Sequence, residues 1–424
     1  MNSAQRVVLI LLILCLLGGV ISGAQFYYRL VYFWILFFIG SWVVSRVSLR
    51  GIMFQRTARA TRSHVGQIFE ERFEIRNTNR LPRFWIEVRD ENGLPGSRGS
   101  QVISMLRGLE VRTYHVRTRL TERGVFPLGP TTLASGDLFG LFPVSRQHPI
   151  RDSLLVYPMM VDVHAFPSPV GWLSGGEALR RRTHQITANA SGVREYAPGD
   201  PLNRIHWLST ARRDSLIVKE FELDPMSEVW IFVDAARNVH FELPREPIQF
   251  DPRDIWRPNL IIPLPPSTEE YAVVMAASLA RYYLQRGRII GMVSAGRMYT
   301  VLPAEKGARQ LGKILEALAL LKAEGKLPLQ GLVEAQINNL PRGSTVVLIT
   351  PAIGDGILFS VELLTRRGMR PVIILIEAES FGGPSGTMRV AKQLELLAVP
   401  FFQVKNGDDL TGALSAKIIA QRWS

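Results

Sequence analysis

VWIFVDA, residues 229–235, is a run of five apolar residues that ends on Asp234. A run this short and this continuous, ending at a polar residue, suits a strand buried on both faces of a parallel sheet. The sequence that follows has the matching rhythm. Glu269–Gln285 reads as a helix opened by the capping box Ser267-x-x-Glu270. IIGMV (289–293) reads as a strand with RMYTVL (297–302) beside it, and Lys306–Ala323 as a helix with Leu311, Ile314, Leu315, Leu318 and Leu321 on one stripe. TVVLIT (345–350), PVIILIE (371–377) and PFFQV (400–404) are further strands, with helices at Phe359–Arg367, Met388–Leu397 and Leu410–Ile419 between and after them. Strands alternating with helices predict a doubly wound α/β domain over 229–424. Ligands of such sheets collect beyond the carboxyl ends of the strands, which directs attention to Asp234 and to Thr350-Pro351-Ala352. One departure is the insert Val239–Pro266, with seven prolines, which leaves the sheet near that end. It either covers the strand ends or offers a partner-binding strip.

Upstream, the period is two. In FEERFEIRN, Phe69, Glu71, Phe73 and Ile75 fall on one side and Glu70, Arg72 and Glu74 on the other. FWIEVRD and VRTYHVRTRL alternate likewise, with turn clusters between them, which predicts a β-sandwich-like domain over 51–165 with its charges on the solvent face. Asp137-Leu138-Phe139-Gly140 reads as a turn followed by an aromatic plug, without an arrangement suited to chemistry.

Val7–Ser22 and Leu30–Ser45 contain no charge and are each just long enough to cross a bilayer, and they predict a two-helix transmembrane hairpin over 1–50. The turn between them carries only Arg29, while Arg46, Arg50, Arg56, Arg59 and Arg62 follow the second run before the first acid, Glu70. The positive-inside rule then places both termini and the soluble domains in the cytoplasm, with the lipid bilayer as a partner. Arg6, the first run and Ser22-Gly23-Ala24 also resemble a secretory signal with a small-residue cleavage site. Residues 1–213 hold 27 Arg, no Lys and 14 acids, whereas residues 214–424 hold 23 basic and 23 acidic residues, so the net charge of +13 belongs to the first half. That excess begins beside the membrane and carries no recognition motif, which argues against nucleic acid as a partner. The lone Cys15 excludes a disulfide framework and a Cys-rich zinc site within one chain, and the seven histidines show no metal-ligand spacing. Gly307–Lys313 approaches a P-loop, but Ile314 stands where Ser or Thr must hold magnesium.

Between the two soluble domains, 166–228 carries GVREYAPGDPLNRIHWLSTARRDSLIVKEFE (192–222). Asp200 followed by Pro201 reads as a helix start, leading into a helix Pro201–Ala211 with Leu202, Ile205, Leu208 and Ser209 facing inward, then a strand Ser215–Leu223. Interleaved Arg and acidic residues favour a structural joint held by ion pairs. His206 and Ser209, at i and i+3, can touch, but no third group is implied for catalysis.

This stretch resembles the signature of the bacterial domain-of-unknown-function family 58, through Gly192–Tyr196, Pro198–Asp200, Arg204–Trp207, Thr210–Arg212 and Glu220–Glu222; His206 departs from the Asp common there. The resemblance implies two membrane helices, a β-rich region, the signature and a von Willebrand factor type A-like domain. It also implies partners, a MoxR-type AAA+ ATPase and a transglutaminase-like membrane protein, and an assembly role without an established reaction. Its signature residues, here Arg194, Glu195, Tyr196, Pro198, Gly199, Asp200, Arg204, Trp207, Arg212 and Glu220, become the candidate interaction set. Type A-like domains hold magnesium with Asp-x-Ser-x-Ser after the first strand. Here Asp234-Ala235-Ala236-Arg237-Asn238 lacks both serines, and Thr350-Pro351-Ala352 lacks an acid, so Asp234, Asn238 and Thr350 form a degenerate metal site. The expectation is a membrane-anchored, cytoplasm-facing interaction or assembly factor with no cofactor. The alternative is a membrane-proximal enzyme using residues 192–222.

Overall fold

The structure, a computed structural model, describes residues 3–149, 152–167, 190–197, 205–213, 215–221, 228–245 and 262–415. The chain divides into two compact units. One is Met1–Val161 with Leu243–Pro266 and Gly312–Lys322; the other is Asp162–Glu242 with Ser267–Leu311 and Ala323–Ser424.

The first unit opens with α1 (Ser3–Ser22) and α2 (Gln25–Ser48), both long and apolar enough to cross a membrane. Gly18 and Gly19 let the helices approach: a Cβ at Gly18 would lie 2.9 Å from the Tyr27 ring. Ten strands follow: β1 (Ile52–Ala58), β2 (Arg62–His64), β3 (Ile68–Asn77), β4 (Arg83–Asp90), β5 (Gln101–Leu106), β6 (Val111–Arg119), β7 (Gly124–Leu128), β8 (Thr131–Ser135), β9 (Val144–His148) and β10 (Asp152–Tyr157). They form sheets ordered β1-β3-β6, β5-β4-β8-β9 and β2-β10-β7. Ile52 and Ile75 of the first sheet pack with Ile86, Val88, Ile103 and Leu133 of the second, as their period-two alternation requires.

The same alternation turns Glu71 inward, which corrects the expectation that the charges lie on the solvent face. The Arg56 guanidinium donates to Glu71 at 2.7 Å and to both oxygens of Asp90 at 3.0 and 3.3 Å, and both carboxylate side chains are wholly buried. Thr131 and Asn92 also donate to Asp90. Burial pushes both carboxyl groups above their ordinary range, against the opposing pull of Arg56. Arg56 is therefore a core residue, not part of the basic flank beside the second apolar run.

The rest of the chain contains β11 (Ala190–Glu195), α3 (Trp207–Arg213), β12 (Ile217–Phe221), β13 (Val229–Val233), α4 (Thr268–Gln285), β14 (Ile290–Ala295), β15 (Tyr299–Glu305), α5 (Ala308–Leu320), α6 (Leu329–Gln336), β16 (Thr345–Thr350), α7 (Gly356–Arg366), β17 (Arg370–Ile376), α8 (Thr387–Leu396), β18 (Phe401–Val404) and α9 (Leu410–Ser415). Six strands make one sheet, β15-β14-β13-β16-β17-β18, parallel throughout except for the edge strand β15. Every residue of β13, β14 and β16 is buried, which accounts for their unbroken apolar runs. Trp230, Phe232, Val346, Leu348, Ile373 and Leu375 pack on one face with α6, α7 and α8. Helix α6 is absent from the sequence reading. The Ser267 side chain makes no cap hydrogen bond, so its half of the capping box expected with Glu270 does not form; the neighbouring Glu269 accepts from the Ala323 N–H at 2.9 Å.

Candidate functional site

The sheet reverses its winding between β13 and β16, so their carboxyl ends flank the crevice where doubly wound sheets bind ligands. Val233 is paired with Ile349, and the next residues, Asp234 and Thr350, are thereby neighbours. Thr350 Oγ1 donates to Asp234 Oδ2 at 2.6 Å, and the Ala236 N–H donates to Oδ1 at 3.1 Å. The Ala352 N–H in turn donates to Thr350 Oγ1 at 3.0 Å. Asp234 is only 2% exposed. Desolvation by this burial raises its carboxyl above the usual carboxylate range, although Thr350 and Ala236 pull the other way.

Two side chains that the sequence did not single out complete the arrangement. His240 Nε2 lies 2.9 Å from the Asp234 carbonyl oxygen and Nδ1 lies 3.0 Å from Thr268 Oγ1. A carbonyl only accepts, so Nε2 carries the proton, while the single Thr268 hydroxyl proton is shared between Nδ1 and the Phe241 carbonyl at 3.2 Å. Thr268, wholly buried at the start of α4, also accepts from the Phe241 N–H at 2.9 Å. The exit from β13 is thus tied to α4 and to the end of β16. No sequence signal identified His240, because its partners lie in the loop before it and 28 residues after it.

Asn238 does not join Asp234 and Thr350; it sits exposed in a short 3-10 turn, Arg237–Val239. Both Asp234 oxygens are engaged internally, and Ala236 offers no hydroxyl. Magnesium requires near-octahedral oxygen ligation, and these residues do not fit it. Among the described residues no group of three or more His, Cys, Asp or Glu side chains could hold a metal ion. Beyond the crevice, the insert closes on itself at its ends: the Leu243 N–H donates to the Pro266 carbonyl at 3.0 Å, and Glu242 bridges Ser267. Residues 246–261 of the insert lie outside the described residues.

The expected signature residues fall on a separate element. β11 pairs antiparallel with β12, bringing Arg194 opposite Val218 and Glu195 opposite Ile217, with Gly192 opposite Glu220. Ile205 bridges Val218, and the Tyr196 N–H donates to the Leu216 carbonyl at 2.8 Å. Pro198, Gly199, Asp200 and Arg204 lie outside the described residues, as does the expected Asp200–Pro201 helix start. The described helix runs from Trp207 to Arg213, and Ile205, expected within it, forms a β-bridge; Arg212 is exposed. Its Trp207 is 67% exposed and Leu208 is exposed too, so the inward-facing role expected for Leu208 is corrected. The buried residues here are Ile205, Ile217 and Val218. His206 Nδ1 lies 2.7 Å from Ser209 Oγ.

The exposure of Trp207 gives a direct expectation. Trp207→Ala shifts stability by less than about 1 kcal/mol, as for other surface sites, whereas Ile217→Ala costs about 2–5 kcal/mol. Denaturant melts of the two variants beside the wild type check the ranking.

Residues 192–246 match the family described as Protein of unknown function DUF58. The DUF58 match thus covers β11 from Gly192 onward, α3, β12 and β13 and reaches past Asp234 and His240. A relative, the "Uncharacterized protein YeaD" of Bacillus subtilis (strain 168), is 22% identical over 258 residues, which is 60% of this chain and 56% of the relative. The chain therefore spans little more than half the length of this curated relative. Among solved structures, the CARDB domain of the PF1109 protein from Pyrococcus furiosus is 12% identical with a TM-score of 0.18, over 25% of this chain and 91% of that one. The complex of Zinc 2-glycoprotein and Prolactin inducible protein from human seminal plasma gives 6% identity and a TM-score of 0.19, over 24% and 93%. Neither likeness bears on the fold at such scores.

Proposed function

We propose that this DUF58-matching chain is a membrane-anchored, cytoplasm-facing interaction or assembly factor. Its α/β unit is of the von Willebrand factor type A-like kind and docks a protein partner over the ends of β13 and β16 without a metal ion. The observation that carries this reading is the use made of Asp234. A carboxylate at the switch point of a parallel sheet is placed for a ligand, but here it is buried and holds Thr350 and the backbone of Ala236. It shapes the crevice and leaves Arg237 and Asn238 exposed at its rim. Those groups can hydrogen-bond a partner but supply no nucleophile next to a base. The resemblance in the signature supports a MoxR-type AAA+ ATPase as that partner and a transglutaminase-like membrane protein as a second. The apolar α1 and α2, with Arg46 and Arg50 after the second, support a transmembrane hairpin with the soluble units in the cytoplasm.

Capture from detergent-solubilised membranes tests the docking. The wild-type chain should retain an AAA+ ATPase identifiable by mass spectrometry, and Arg237→Glu with Asn238→Glu should lose it while melting like wild type. Equal capture by both would show that the partner does not dock at the crevice. For the orientation, a reporter fused after Ser424 should be active only in its cytoplasmic form.

The buried state of Asp234 makes a pH prediction. Its raised pKa means that the fold favours the protonated form, so this contribution is fully present below the unfolded value of about 4 and is lost as pH rises through the folded value. Asp234→Asn should therefore lose that slope and gain on wild type toward alkaline pH. Asp234→Ala should cost about 2–4 kcal/mol, because the Ala236 N–H and the Thr350 hydroxyl both lose their acceptor. Denaturant melts of the three proteins across pH check both statements.

The enzyme reading has one observation behind it, the His206–Ser209 pair at 2.7 Å. A His206→Ala protein that melts like wild type yet fails to complement a deletion strain would favour it.

A further inference from the structure

The loop between β8 and β9 inverts the usual arrangement of a surface turn. Its acid is inside, while two of its apolar residues, Leu138 and Phe139, are outside. Asp137 is 2% exposed, while Leu138 and Phe139 are 58% and 62% exposed. The Asp137 carboxylate accepts from three backbone N–H groups, those of Phe139 at 3.0 Å, Leu141 at 3.1 Å and Phe142 at 2.6 Å. The loop carbonyls are met from the helices: Gln5 Nε2 donates to Leu141 O at 2.8 Å and Ser45 Oγ to Phe142 O at 2.6 Å. These bonds satisfy three N–H groups and two carbonyls of the loop and so lower the cost of taking it out of water.

Its position along α2 gives the depth. Phe139 packs edge-on against Phe37 with ring centroids 4.7 Å apart, and Phe142 against Phe38 at 4.9 Å. Ser41 and Ser45, one turn apart and both buried, keep that side of α2 slim where the loop meets it. Arg46 lies over the Trp42 ring at 5.5 Å, a pair suited to the membrane–water boundary. At about 1.5 Å per residue, Phe37 lies roughly 7 Å beyond Trp42 and roughly 13 Å beyond Arg46, into the apolar part of the helix. A hydrocarbon layer of about 30 Å would enclose that level.

We propose that residues 136–143 form a third membrane-embedded element, a wedge that seats Leu138 and Phe139 among the acyl chains of the leaflet from which α2 emerges. This rests on the reading of α1 and α2 as membrane spans. The occupant is lipid because the exposed pair continues the apolar surface of α2, where Leu36 is also exposed. The wedge fixes the β-rich unit at a set height and rotation against the bilayer.

The test uses the full chain with Cys15→Ser and one new cysteine at a time, Phe139→Cys, Leu138→Cys, Leu36→Cys or Arg98→Cys, each carrying an environment-sensitive fluorophore. Arg98 lies in the turn between β4 and β5, at the opposite end of that sheet from the wedge. In phosphatidylcholine vesicles with mid-chain brominated lipid, labels at 139, 138 and 36 should be quenched at least about twofold more than the label at 98, as befits groups within the roughly 30 Å hydrocarbon layer. Quenching at 36 with none at either 138 or 139 would overturn the wedge while leaving the spans intact. A blue-shifted but unquenched pair of loop labels would overturn it too, by showing a protein occupant such as a second copy. Absence of quenching at 36 would sink the membrane reading itself, and the wedge with it.

Discussion

Gly325→Ala should unfold the α/β unit or cost it more than about 4 kcal/mol, a loss reserved for a few mechanisms of which backbone overlap is one. Gly325 lies where three segments meet. Its N–H donates to the Ala235 carbonyl at 2.9 Å and its own carbonyl accepts from the Arg237 N–H at 2.9 Å, so it stitches the exit of β13 beside Asp234. A Cβ there would fall inside the envelope of the Ala295 carbonyl oxygen at the end of β14 and 2.8 Å from that of Ala235. Both obstacles are backbone in buried positions and have nowhere to move. Gly312→Ala is the contrast. That glycine lies within α5 with open space around its missing Cβ, and alanine is worth up to about 1 kcal/mol over glycine in a helix interior. Thermal melts should therefore move in opposite directions for the same chemical change. A Gly325→Ala protein that melts like wild type would mean that the β13 exit is not built as described.

Arg56→Ala should cost about 3–5 kcal/mol, because it leaves two buried carboxylates without their counter-charge. Glu71 and Asp90 already sit above their ordinary range through burial, and removing the guanidinium raises them further. The sign follows from the raised values. The protonated forms are favoured in the fold, so their contribution is fully present below the unfolded values of about 4 and is lost as pH rises through the folded ones. The defect of Arg56→Ala should thus be larger near pH 7 than near pH 5. Denaturant midpoints at the two conditions measure it, and a defect that does not change with pH would contradict the buried triad.

Much of the parallel sheet was legible because each strand is buried on both faces and so appears as an unbroken apolar run. VWIFVDA and TVVLIT gave β13 and β16 in this way, and the rule about strand ends then pointed to Asp234 and Thr350. Their hydrogen bond was not legible, since it depends on the register of two strands more than a hundred residues apart. Helix α6 is not legible in the sequence because LQGLVEAQ shows its apolar positions, Leu329, Leu332 and Val333, over little more than one turn. Glu71 was placed correctly on the Phe69–Phe73–Ile75 side, but nothing local revealed that Arg56 and Asp90, from two other strands, would meet it inside. Asp137 shows the same limit. Asp-Leu-Phe-Gly reads as a turn, and only the structure shows that the carboxylate folds inward onto three N–H groups while the aromatic residue faces out. Within the expected helix Pro201–Ala211, Ile205 forms a β-bridge and the described helix begins at Trp207, while the Asp200–Pro201 start lies outside the described residues.

A protein partner docked over Asp234 and Thr350 is tested by a photo-activatable residue placed at Asn238 in the full chain in living cells, with Arg98 as the control position. A discrete protein adduct should form at 238 and be absent at 98. Cells that complement fully while 238 yields no protein adduct would contradict it.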